Sequence, residues 1–87
     1  MTHALKTDPG FFKSIVKGDK TFDVRKHDRP FKVGDKLLLQ EFNQETEKYS
    51  GEEWHGEIVY ILDSSDYCKK NFVILGIHEN GQIHSQD

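Results

Sequence analysis

Between Gly18 and Arg25 the chain sets three formal charges at close spacing: the ammonium of Lys20, the carboxylate of Asp23 and the guanidinium of Arg25. Gly18 reads as a helix stop, and the residues after it alternate as a strand does. Phe22 and Val24 point one way, and Thr21, Asp23 and Arg25 point the other. A carboxylate and a guanidinium two apart on one strand face can pair with each other or receive a polar ligand between them. Lys20 and Arg25, with Lys6 from a neighbouring strand, would hold a nucleotide phosphate while Asp23 fixes Arg25 or accepts from a base edge. The plainer alternative is a surface ion pair worth about 0–1 kcal/mol.

Other chemistries find less support. His3, His27, His55, His78, His84 and Cys68 are scattered without the paired spacing of a zinc site, so neither a metal nor a cofactor is expected. The serines lack a Gly-x-Ser-x-Gly setting, and no Gly-rich phosphate loop is present. Cys68 lies beside Lys69 and Lys70, the one setting here that would suit a reactive thiol, but a lone cysteine is more often inert. Phe11, Phe12 and Phe22 are expected in the core. Tyr49, Trp54, Tyr60 and Tyr67 are the aromatics that could stack on a base if exposed.

The elements that must position these groups follow from periodicity and punctuation. Thr2 to Lys6 reads as a first strand, with His3 and Leu5 on one face. Asp8 is a good N-cap and Pro9 a good first helical residue. Phe11, Phe12, Ile15 and Val16 then form an apolar stripe of helical period, closed by Gly18. After the charged strand, Lys26 to Pro30 is a polar loop, Val33-Gly34-Asp35 a turn, and Lys36 to Phe42 a Leu-rich strand. Asn43 to Gly51 is a hairpin tip, with Gly51 at a bulge or bend. Trp54 to Leu62 is the longest strand, with Trp54, Ile58, Tyr60 and Leu62 sharing a face. Asp63 to Lys70 is irregular, with a helical turn near Asp66 to Lys69. Phe72 to Ile77, apolar throughout, reads as a central strand buried on both sides. Asn80-Gly81 suits a type I′ turn leading to Ile83.

The expected architecture is mainly β (α+β): a small barrel or curled sheet of five to six mostly antiparallel strands, with one helix covering an opening. Eighty-seven residues form a single domain, 1–87, with a core over about 2–78 and a polar tail at 79–87. Six Phe, three Tyr and one Trp supply the bulk that the low aliphatic content lacks. One cysteine, the absence of a basic-then-apolar leader and the lack of any long apolar run point to a cytoplasmic protein with no membrane partner. The net charge of −3 hides an asymmetry: residues 1–36 hold nine Lys and Arg against five acids, and residues 37–87 hold three against ten. A basic N-terminal half offers one positive face to an anionic ligand.

The stretch Gly18-Asp19-Lys20-Thr21-Phe22-Asp23-Val24-Arg25 resembles the G-x-K-x-x-E-x-R signature of the ASCH domain, a PUA-like β-barrel. His3-x-Leu5-Lys6, the Pro9 helix, Arg25-Lys26, Phe31-x-Val33-Gly34-Asp35, the Leu-rich strand and Phe72 to Ile77 resemble a small bacterial and phage branch of that superfamily. The resemblance covers roughly residues 2–78. It implies a PUA-like barrel with a cleft beside the helix, lined by Lys20, Asp23 and Arg25, with His3, Lys6 and Lys26 as further contacts, and it implies binding of RNA or a nucleotide. Asp23 stands where the family usually has glutamate, one methylene longer.

A second branch resembles small amidohydrolases acting on acetylated cytidine, with a lysine, a threonine three residues later and a distant glutamate. Lys20 fits the first role; position 23 is Asp instead of Thr, leaving Thr21 as the nearby hydroxyl. The expected function is therefore a non-enzymatic RNA- or nucleotide-binding module. The alternatives are such a hydrolase, using Lys20 and Thr21, and a protein-interaction module built on the acidic second half.

Overall fold

Asp8 and Gly18 bracket the helix as their chemistry requires. In the computed structural model, which describes residues 1–64 and 66–80, α1 runs Pro9–Lys17. The Asp8 carboxylate accepts from the Gly10 amide at 3.0 Å, and Gly18 at φ 88° returns its amide to Ile15 O. A side chain at Gly18 would have to adopt that left-handed backbone, which L-residues avoid.

Five strands form one sheet: β1 Thr2–Thr7, β2 Phe22–Lys26, β3 Lys36–Asn43, β4 Lys48–Leu62 and β5 Phe72–Glu79, in the order β1-β3-β4-β5-β2. β1 pairs with β3 in parallel and the other pairs are antiparallel. The sheet curls into a half-barrel whose two borders are β1 and β2. Leu5, Leu37, Leu39, Trp54, Ile58, Val73, Leu75 and Ile77 fill its concave side, and Phe12 and Ile15 of α1 together with Phe31 cover them. Burying each such side chain contributes about 1.5–3 kcal/mol.

Several expectations are corrected. Phe11 and Phe22 are not core residues; they are 56% and 44% exposed, and of the predicted helical stripe only Phe12 and Ile15 are buried. In β2 the alternation is as read, but it is Asp23 that points inward, at 3% exposure, while Phe22 and Val24 face out. Trp54 is buried and so offers no surface for stacking, whereas Tyr49, Tyr60 and Tyr67 are exposed. Tyr60 parts company with Ile58 because the β4–β5 register shifts between these two residues, and one extra residue reverses the faces beyond it. β5 is fully buried on one face only, at Val73, Leu75 and Ile77; Phe72, Ile74 and Gly76 are half-covered. β4 begins earlier than predicted, at Lys48, which shortens the hairpin tip. Near the expected helical turn, the Tyr67 and Cys68 amides both bond to Ser64 O. The predicted Asn80-Gly81 turn and the strand toward Ile83 lie outside the described residues.

Candidate functional site

Asp23 is the hub of the charged stretch. Its Oδ2 accepts from Arg25 Nε at 2.6 Å, and its Oδ1 lies 3.6 Å from Lys20 Nζ. Two cations on one buried carboxylate meet the condition under which burying a charge is tolerable. Lys20 is engaged further: its ammonium donates to Phe22 O at 2.8 Å and lies over the Phe11 and Phe22 rings, 4.9 and 4.5 Å from their centroids. The two exposed phenylalanines thus act as walls around a lysine.

Arg25 reaches away from its own strand. Nη1 donates to Lys6 O at 2.8 Å and Nη2 to Thr7 Oγ1 at 2.9 Å, both on β1. The guanidinium therefore spans the gap between the two borders of the sheet. A planar fork with donors on three nitrogens can do this, and a lysine cannot.

Outside this clasp the two borders frame a groove of about 330 Å³, lined by Lys6, Arg25, Lys26, Asp28, Arg29 and Phe31 among others. Four basic residues and one acid are in that lining, and Arg29 Nε lies 3.8 Å from Asp28 Oδ1. Lys26 is exposed, and Arg25 keeps N–H donors beyond its three protein bonds. Lys6 also lines an adjoining hollow with Thr7, Asp8, Phe42 and Gln44, and its ammonium lies 4.6 Å from the Phe42 ring centroid.

Of the residues singled out from sequence, Lys6, Arg25 and Lys26 meet in this groove, and Lys20 and Asp23 stand behind Arg25 as its support. Thr21 is exposed, and its carbonyl accepts from the Ile77 amide. His3 is elsewhere. It is 2% exposed, its ring packs against Phe31, and its Nε2 donates to Asp35 Oδ2 at 2.8 Å. That bond, the Lys32 amide on the same oxygen and the nearby Met1 amine hold the Asp35 carboxyl below its ordinary value, against the opposing push of burial. Sequence reasoning misses Arg29. The signal for it is membership of the basic half, in a loop broken by Pro30 that brings it back beside β1.

Among the described residues no three His, Cys, Asp or Glu side chains converge as metal ligands, and no helix is long and apolar enough to cross a membrane.

Comparison with known proteins places the chain by sequence. It is 30% identical over 73 residues to an "Uncharacterized 12.9 kDa protein in GpA 3'region" of Escherichia phage P2. The match takes in 84% of this chain and 64% of that protein, so the chain spans less than two thirds of its relative's length. Residues 2–77 match the family described as "Domain of unknown function (DUF3850)", a span that contains every strand but the end of β5, the helix, the Arg25 clasp and the groove beside it. The chain belongs to that family.

Proposed function

We propose that this protein is an ASCH-like, PUA-like module that binds RNA or a nucleotide in the groove between β1 and β2. The observation that carries this reading is that Lys6, Arg25, Lys26 and Arg29 all line one groove, where Asp28, 3.8 Å from Arg29, is the acid among the lining residues. In a chain of net charge −3, gathering four cations at one place concentrates positive potential where a phosphate can use it. The Lys20–Asp23–Arg25 arrangement supports the same reading, because a guanidinium held by a buried carboxylate meets a phosphate already oriented. The acids Glu45, Glu47, Glu52, Glu53 and Glu57 sit on β4 and the hairpin leading to it, away from the groove lining.

The test is fluorescence anisotropy with a labelled single-stranded RNA octamer across a salt series. The double variant Lys26→Glu/Arg29→Glu is expected to lower affinity by tenfold or more. The slope of log affinity against log salt should fall by roughly 0.7 for each phosphate the variant no longer neutralises. Arg25 is left intact because it also holds the sheet borders together. Wild-type protein that binds no RNA at low salt, or a double variant as tight as wild type, overturns the reading.

A further inference from the structure

Glu41 occupies a position in β3 where a strand of this pattern would place an apolar side chain. It continues the buried series Leu37, Leu39 along the concave face, and it is 8% exposed. Its Oε2 is buried and has no hydrogen-bond partner among the described residues. Lys13 Nζ stands 3.8 Å from that oxygen, too far to donate, on a side chain that is 73% exposed and free to swing. A carboxylate removed from water without a hydrogen bond costs several kcal/mol by general transfer arguments, so its retention calls for an occupant that donates to it.

The space for one is present. Glu41 opens on a hollow of about 310 Å³ between α1 and the β3–β4 hairpin, with Lys13, Asn43, Lys48, Tyr49 and Ser50 in its lining. Asn43 is held with its Oδ1 accepting from the Glu45 and Thr46 amides at 2.9 and 3.1 Å, which leaves its amide nitrogen as a donor. Tyr49 is half-exposed and braced edge-on against Phe42, with ring centroids 4.8 Å apart. The hollow thus offers an acceptor, a donor and an aromatic face. Lys6 links it to the groove, since its ammonium lies 4.6 Å from the Phe42 centroid and 6.0 Å from that of Tyr49.

We infer that this hollow is a nucleobase site selective for guanine, with Glu41 as the specificity-determining residue. The inference rests on the nucleotide-binding reading above and adds which base is taken and by what. Guanine presents adjacent N1–H and N2–H donors that a carboxylate accepts together, and an O6 acceptor beside them that suits the Asn43 amide. Cytosine and adenine offer one amino group to the carboxylate, and uracil offers one ring N–H. The Tyr49 face stacks on any base, and Lys13 and Lys48 lie at the rim for phosphate.

The experiment compares a uridine octamer with the same octamer carrying one central guanosine or one central cytidine, by anisotropy against wild type and Glu41→Gln. Wild type is expected to prefer the guanosine octamer over the uridine octamer by about tenfold, the scale of one bidentate contact. Glu41→Gln is expected to bring that ratio near one. Glu41→Leu, which removes the buried carboxylate altogether, is expected to lose the preference and to melt at a higher temperature than wild type. If wild type binds the uridine octamer but shows no guanosine preference, or if both Glu41 variants keep it, the guanine assignment fails and the groove reading stands. If wild type binds none of the octamers, both fail.

Discussion

Arg25 on β2 hydrogen-bonds the backbone carbonyl of Lys6 on β1 at 2.8 Å, joining by a side chain two strands that share no ladder in the sheet order. The same guanidinium binds Thr7 Oγ1 and the buried Asp23 carboxylate. One residue therefore closes the curl of the sheet and presents positive charge to the groove outside it.

Removing that side chain strands the Asp23 carboxylate and opens the border. Arg25→Ala is expected to lower the stability of the fold by about 3 kcal/mol, the range for breaking one partner of a buried pair. Arg25→Lys is expected to recover only part of this, because an ammonium cannot serve Asp23, Lys6 O and Thr7 Oγ1 together. Urea denaturation of the three proteins measures the order, and Arg25→Lys equal to wild type would contradict the clasp.

Acid should act through Asp35. Its folded pKa lies below the ordinary carboxylate value, chiefly through the hydrogen bond from His3, so ionised Asp35 stabilises the fold. That contribution is fully present above the unfolded carboxylate value of about 3.9 and is lost as pH falls through the lower folded value. Asp35→Asn should melt below wild type at pH 6, and the gap should narrow in a melting series carried below the unfolded carboxylate value of about 3.9. A gap that stays constant with pH would assign the loss to packing instead.

Gly56 has no room for a side chain. A Cβ there would meet the Trp54 ring and the His78 carbonyl. Gly56→Ala is expected to cost about 1–3 kcal/mol by overpacking, and to shift Trp54 emission because the buried indole must move. Unchanged emission with unchanged stability would show that the ring yields freely.

Much of this arrangement can be read from local chemistry. The helix is legible because the signals for its start and stop lie next to it, in Asp8, Pro9 and Gly18. The alternation of β2 is legible too, but not which face goes inside. Phe22 and Val24 look like core until the partners of Asp23 and Arg25 are known, and those on β1 lie 18 and 19 residues away in sequence. Tyr60 falls on the wrong face in a reading by alternation because a register shift of one residue leaves no mark in composition. Glu41 does leave one, as a carboxylate in phase with Leu37 and Leu39, but Lys36 to Phe42 reads as a Leu-rich strand and hides it.

The strand order has a consequence for how the molecule breathes. Residues 2–26 supply both borders of the sheet and the helix between them, while β3, β4 and β5 each have a neighbour on either side. Any opening that releases the Arg25 clasp frees one border from the other. Because both borders belong to one short stretch of chain, their amides are expected to exchange with solvent together and ahead of those of β4 in a hydrogen-exchange series. A ligand that grips both Lys6 and Lys26 is then expected to slow exchange from Thr2 to Lys26 as a block.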